Sequence, residues 1–204
     1  MSSMENWTQT TFRYRNDDGS ETAATWRQIA GTDDTLELDT TYRMRFNVAG
    51  THTGGAGSFP LVCGFQYDVD GAGFVNITTT STNVKAVASA DTSWTITDDD
   101  VTTEQLAGAA TFVAGHMDET GACSSVTISD SEDSEFELVF QLLSSELSGG
   151  ESVQIRCVDS GTALNTYTLT PTITVATPPS GGLFMTKKKM DGMSTGGAFF
   201  ESQI

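Results

Sequence analysis

Two histidines, three cysteines and an excess of carboxylates are the groups in this chain that could do chemistry. His52 and His116 are the obvious general bases. A serine nucleophile would need one of them within hydrogen-bond reach, and a third group to orient the ring. Serines are plentiful, but the spacing selects none of them, so no catalytic residue and no enzyme is expected. Paired carboxylates for glycoside cleavage are equally unselected, because their separation in space decides that chemistry. Cys63, Cys123 and Cys157 are odd in number, widely spaced and lack a CxxC pair. They read as reduced, buried, small apolar side chains. The histidines add no ligand-spaced cluster to them, so neither metal nor cofactor is expected.

The carboxylates gather in loops. Asp68-Val69-Asp70-Gly71 is faintly like a calcium loop. It lacks the third acidic position and the closing Glu, which leaves a turn. Asp98–Asp100 and Asp130–Glu135 read as solvated acidic loops, with a divalent-ion site as the alternative. The formal net charge is −17, from ten basic and 27 acidic residues. A nucleic-acid partner is not expected, because phosphate binding needs a concentrated basic surface. The charge is uneven: residues 178–204 carry three Lys against Asp191 and Glu201, a net +1, which leaves −18 on residues 1–177.

The elements that position these groups alternate with period two. Phe12 and Tyr14 point one way, Arg13 and Arg15 the other. Tyr42, Met44, Phe46 and Val48 form one face of the clearest strand, with Arg43, Arg45 and Asn47 behind them. The four arginines are expected on wet strand faces, paired with acidic neighbours across the sheet; a basic contact stripe is the functional alternative. Asn16-Asp17-Asp18-Gly19 reads as a hairpin turn and Trp26 as a core aromatic. Leu61–Val69 closes at Asp70-Gly71 onto Phe74, Val75 and Ile77. Thr103–Ala107 suits one helical turn. Phe136, Leu138, Phe140 and Leu142 alternate, as do Val153, Ile155 and Cys157. Thr166–Val175 closes the domain, with Pro171 placing it at an edge or a bulge. About eight to ten strands at turn spacing predict an all-β, antiparallel two-sheet sandwich, Ig-like or jelly-roll-like.

The expected organisation is an N-terminal extension over 1–9, a sandwich over 10–177 and an extended C-terminal arm over 178–204. Beyond Pro178-Pro179-Ser180-Gly181-Gly182 the alternation stops. The arm carries Phe184 and Met185, the triplet Lys187-Lys188-Lys189, and Phe199-Phe200. These seven residues are the candidate partner-binding set: lysines toward acidic groups on a neighbour, aromatic side chains into apolar pockets. Gly192, Gly196 and Gly197 oppose an amphipathic membrane helix, and no run of about 18 apolar residues suggests a membrane span. Met1–Trp7 shows no basic and apolar leader, so production in the cytoplasm is expected.

The stretch Tyr14-Arg15-Asn16-Asp17-Asp18-Gly19-Ser20-Glu21, then Ala24-Thr25-Trp26, resembles the opening of a β-sandwich module of tailed-phage virion proteins and bacterial surface proteins. The likeness continues through Tyr42-Arg43-Met44-Arg45-Phe46, Val153-Gln154-Ile155-Arg156 and Leu164–Pro171. It implies a structural protein of a bacteriophage virion, first of all a capsid decoration or cement protein bound to the major capsid protein or other virion subunits. A homotrimer is implied by analogy alone. The alternative is a tail-associated or surface adhesin for carbohydrate or receptor, with Trp94 and the loop around residues 52–58 as contacts.

Overall fold

The structure is a computed structural model that describes residues 4–53, 57–94, 96–106, 108 and 110–178. It is all-β, and the proposed arm residues Phe184, Met185, Lys187, Lys188, Lys189, Phe199 and Phe200 lie outside the described residues. No helix among the described residues is long and apolar enough to cross a membrane.

The strands in chain order are β1 (Met4–Asn16), β2 (Asp34–Leu36), β3 (Thr41–Thr53), β4 (Ser58–Leu61), β5 (Cys63–Val69), β6 (Val75–Asn76), β7 (Val84–Ala86) and β8 (Thr111–Val113). They continue as β9 (Met117–Asp118), β10 (Val126–Ser129), β11 (Glu132–Leu142), β12 (Ser152–Asp159), β13 (Thr162–Ala163), β14 (Thr166–Tyr167) and β15 (Thr172–Val175). The large sheet has the order β14-β1-β3-β11-β7, with β8 and β9 also paired to β11. The second sheet runs β2-β15-β12-β5-β6, with β13 on β12. The long pairs are antiparallel; β14, β8, β9 and β2 add short parallel edges.

The two sheets face each other across one apolar core. Phe12, Met44, Phe46, Phe136, Leu138 and Phe140 line the large sheet; Phe65, Val153, Ile155, Ile173 and Val175 line the second. The Phe46 and Phe65 rings meet between them at 5.5 Å. A small third sheet, β4 with β10, closes one end, where Phe59 packs on His52 and His52 on Trp7.

Residues 4–9 are not an extension. They form the first half of β1 and pair with residues 48–53. The register shifts between Gln9 and Thr11, so Thr10 is a bulge. The extra residue reverses side-chain parity: Trp7 and Gln9 share the buried face with Phe12 and Tyr14, which an unbroken alternation would forbid.

Turn chemistry behaves as its residues dictate. Asp70 and Gly71 both take positive φ, 50° and 79°, and Ala72 N–H closes onto Val69 C=O at 3.0 Å. Ser160 and Gly161 do the same between β12 and β13. Thr166–Val175 is two strands, not one. β14 pairs with β1 in the large sheet, and β15 joins β12 and β2 in the second. The chain changes sheets before Thr172, where Pro171 has no N–H to continue a ladder.

Candidate functional site

The four strand arginines are the centre of the most elaborate polar structure in the protein, and three of them are buried. Arg15, Arg43 and Arg45 are each 0 % exposed. They stand on the face of the large sheet that turns away from the apolar core. β1 and β3 set Arg15 opposite Arg43 and Arg13 opposite Arg45, an arrangement of like charges that is unstable without compensation. β11 compensates by placing Glu137 opposite Arg45 and Glu135 opposite Asn47.

Glu137 is the hub. Arg45 Nε donates to its Oε2 at 2.6 Å and Arg15 Nη1 donates to the same oxygen at 3.0 Å. Arg43 Nη1 stands 3.9 Å from its Oε1. Arg45 also donates to Glu135 Oε2 at 3.2 Å and to Glu21 Oε1 at 2.7 Å. Arg43 Nε donates to Asp17 Oδ1 at 2.7 Å. Three guanidinium groups therefore meet four carboxylates.

The charge states follow from burial and partners. Burial lowers the Arg15 pKa despite Glu137. Burial works the same way on Arg45, but Glu137 and Glu21 outweigh it and the net shift is upward. Burial pushes Glu135 up from the ordinary glutamate value, against the Leu106 N–H and Arg45, which pull it down. Glu21 goes the other way: burial would raise it, but Thr103 N–H and Arg45 hold it below its ordinary value.

Residues 17–26 form the cover. Gly19 C=O accepts from Arg43 Nη2 at 2.6 Å, Glu21 C=O from Arg15 Nη1 at 2.6 Å, and Ala24 C=O from Arg15 Nη2 at 3.0 Å. Asp17 additionally accepts from Ser89 Oγ and Ala90 N–H, fixing the next loop. Asp18 takes Thr25 N–H at 2.7 Å and closes the loop on itself. Trp26 is half-buried, not a core aromatic. Its ring lies under both Arg13 and Arg15, 4.5 and 4.3 Å from their guanidinium carbons. Gly19 does not take the positive φ of the expected hairpin turn; a Cβ there would stand 3.1 Å from the backbone N of Ala24.

Several expectations are thereby corrected. Arg15, Arg43 and Arg45 are neither wet nor a contact stripe, although Arg45 has the expected acidic neighbour, Glu137, across the sheet; Arg13 is half-buried. The acidic segment Asp130–Glu135 is not a solvated loop: β11 begins at Glu132, and Asp133 and Glu135 are buried. Thr103–Leu106 forms no helical turn. Its amides are taken by carboxylates instead, Thr103 N–H by Glu21 and Gln105 and Leu106 N–H by Glu135. His52 lies in β3, buried between Trp7 and Phe59, with Nε2 at 3.2 Å from Ile128 C=O. His116 Nδ1 lies 2.9 Å from Asp99 C=O.

Among the described residues, no serine or cysteine side chain is hydrogen-bonded to either imidazole. Cys63, Cys123 and Cys157 are free and buried. Burial pushes the thiols of Cys63 and Cys157 up, and the hydrogen bond with Cys63, then burial, raises Cys123, so none is a ready thiolate. Asp68 and Asp70 accept from Gly73 and Ser152 amides, as turn residues do. Among the described residues no group of three or more His, Cys, Asp and Glu could hold a metal ion. The sequence reading does not single out Glu135 or Glu137 as the partners of the arginines. Their signal was present in the matching alternation of β3 and β11, Arg-x-Arg against Glu-x-Glu.

The sequence matches no protein-family model, no curated protein and no solved structure.

Proposed function

We propose that the chain is a structural protein of a bacteriophage virion, most specifically a capsid decoration protein. In this reading residues 178–204 tie the sandwich to the major capsid protein or a neighbouring virion subunit. The observation that carries the reading is the division of charge. Residues 1–177 hold −18, while residues 178–204 hold +1 and concentrate Lys187, Lys188 and Lys189 among Phe184, Met185, Phe199 and Phe200. An acidic body repels its own copies, and a basic, aromatic arm supplies the specific attachment that overcomes this. Binding across subunit seams stabilises the shell by mass action.

The resemblance supports the same reading in a particular way. Its most recognisable residues, Asn16 to Glu21 and Ala24 to Trp26, are engaged in covering the arginines or in closing that cover. They describe a carrier fold, which leaves the copy-specific work to the arm.

Truncation after Thr177 is the test. It retains β15 and the Ala176 N–H bond to Leu36 C=O. The truncated domain is expected to fold, remain soluble and fail to join particles. Unchanged incorporation overturns the arm's role, and absence of the chain from purified virions overturns the virion reading. Copies found along the tail overturn decoration alone.

An adhesin is the second reading, favoured by Trp94, which is 46 % exposed. A glycan screen without signal counts against it.

A further inference from the structure

The three cysteines are remote in sequence and adjacent in space. Cys63 opens β5, and Cys157 lies on the neighbouring β12 one step along the diagonal, since Cys63 faces Asp159 and Cys157 faces Phe65. Cys123 approaches from the other edge of β5. An isolated antiparallel bridge sets Ala122 opposite Gly64, which places Cys123 directly opposite Cys63, and Cys123 N–H donates to Cys63 C=O at 2.8 Å. The Cys63 thiol is within hydrogen-bond reach of both other thiols. All three side chains are buried, Cys123 the least at 4 % exposed.

The connection that carries Cys123 crosses from one sheet to the other. β9 pairs with β11 in the large sheet, and by Ala122 the chain lies on β5 in the second. Asp118 turns it, accepting from Thr120 N–H and Gly121 N–H at 2.8 Å each. Gly121 takes φ 111°, and a Cβ there would collide with Ile77 C=O, so the crossing is pressed onto the second sheet. Geometry then separates the two thiol pairs. Opposite residues of a hydrogen-bonded antiparallel pair have Cα atoms about 5.5 Å apart, inside the span of a disulfide. Diagonal neighbours stand about 7–8 Å apart, at or beyond its limit of about 7 Å. Cys63 therefore matches Cys123 and not Cys157. A metal centre is no alternative, because no group of three or more His, Cys, Asp and Glu among the described residues is arranged to hold an ion.

We propose that Cys63 and Cys123 are a redox pair, which a small-molecule disulfide such as oxidised glutathione closes into a bond that pins the crossing to the second sheet. When the crossing lifts from β5, the Cys123 thiolate attacks one glutathione sulfur, the glutathione S–S bond breaks and one glutathione thiol leaves. Cys63 then attacks the Cys123 sulfur and expels the second glutathione. The pair gives up two electrons and two protons, and oxidised glutathione takes them up as two thiols. Cys157 stays a thiol. With the crossing closed the thiols are dry and protonated, so the reaction passes through this local opening, and the reduced form persists in a reducing compartment. The bond closes the long loop of residues 63–123, where a cross-link removes most freedom from the unfolded chain. The inference does not depend on the virion reading.

The test compares the full chain kept in dithiothreitol with the chain incubated in oxidised glutathione. Oxidation is expected to lower the thiol count, read in denaturant, from three to one. A peptide map is expected to show Cys63 linked to Cys123 and Cys157 alkylated. The thermal midpoint of the oxidised chain is expected to rise by about 5–15 °C, and to fall back when reductant returns. Cys157→Ala is expected to keep the bond and the rise, and Cys123→Ser to lose both. If either variant does not fold, the map and the melt of the unaltered chain decide. The proposal is overturned if three thiols survive prolonged oxidation, in buffer and in urea too dilute to unfold the chain. A map that links Cys157, a glutathione adduct that persists, or a bond that forms without raising the midpoint would also overturn it.

Discussion

The large sheet is buried on both faces, and the two faces are held in opposite ways. Toward the second sheet, Met44, Phe46, Phe136, Leu138 and Phe140 pack without a polar atom to satisfy. On the other side, Arg15, Arg43, Arg45, Glu135 and Glu137 are as dry as those phenylalanines, and each is held by named partners. The apolar face tolerates imprecision, because burial is non-directional and scales with area. The ionic face does not, because a buried charge that loses one partner is left with its desolvation cost uncompensated. The same strands thus carry a forgiving core and an exacting one, separated by the thickness of a sheet.

Removing the hub tests that contrast most severely. Glu137→Ala is expected to cost about 3–5 kcal/mol in denaturant unfolding, as much as deleting a core phenylalanine, although it removes far less apolar area. Replacing Arg45 and Glu137 together by Met and Leu should cost less than the two single changes summed, with a coupling of about 1–3 kcal/mol. Strict additivity would place the ionic layer on the same footing as the apolar one. Trp26→Ala comes next. It uncovers Arg13 and Arg15 and is expected to lower stability by about 1–2 kcal/mol, with Trp26→Phe recovering part of the loss.

The smallest effect is a dependence on pH. The folded pKa of Glu21 lies below its ordinary value of 4.5, so its contribution is present above 4.5 and lost as pH falls from there through the lower folded value. Glu135 has a raised folded pKa, so its contribution is fully present below the ordinary 4.5 and lost as pH rises toward the folded value. Thermal melts across this acid range should therefore show Glu21→Gln and Glu135→Gln changing the slope in opposite senses. Parallel slopes would refute the assignment of rim and interior carboxylates.

The two faces differ in legibility for the same physical reason that they differ in tolerance. Alternation of Tyr42, Met44, Phe46 and Val48 can mean only an apolar face, and β3 lies where that pattern puts it. Alternation of Arg43, Arg45 and Asn47 has two meanings, solvent or a salt-bridged interior, and one strand alone does not choose. The choice is made by β11, which sits far off in sequence, and by the loop of residues 17–26, which follows β1 and folds back over the arginines. The start of β1 was hidden by the bulge at Thr10, which breaks the period where Trp7 and Gln9 should have declared themselves. Thr103–Leu106 lost its local propensity to the carboxylates of Glu21 and Glu135.

The pairing of β1 with β14 carries a kinetic consequence. Trp7 N–H donates to Asn165 Oδ1 across 158 positions, and the edge of β1 is sealed by Thr166 and Tyr167. On the ribosome, β1 and β3 can meet early, but their outer edge and their arginine face stay open until β11 and then β14 emerge. Closure over such distances in sequence is slow, and an unsealed edge on a nascent sandwich is a template for wrong partners. Efficient production of the protein therefore depends on speed of completion as much as on final stability, and coexpressed chaperones should raise its yield more than lowering the growth temperature alone.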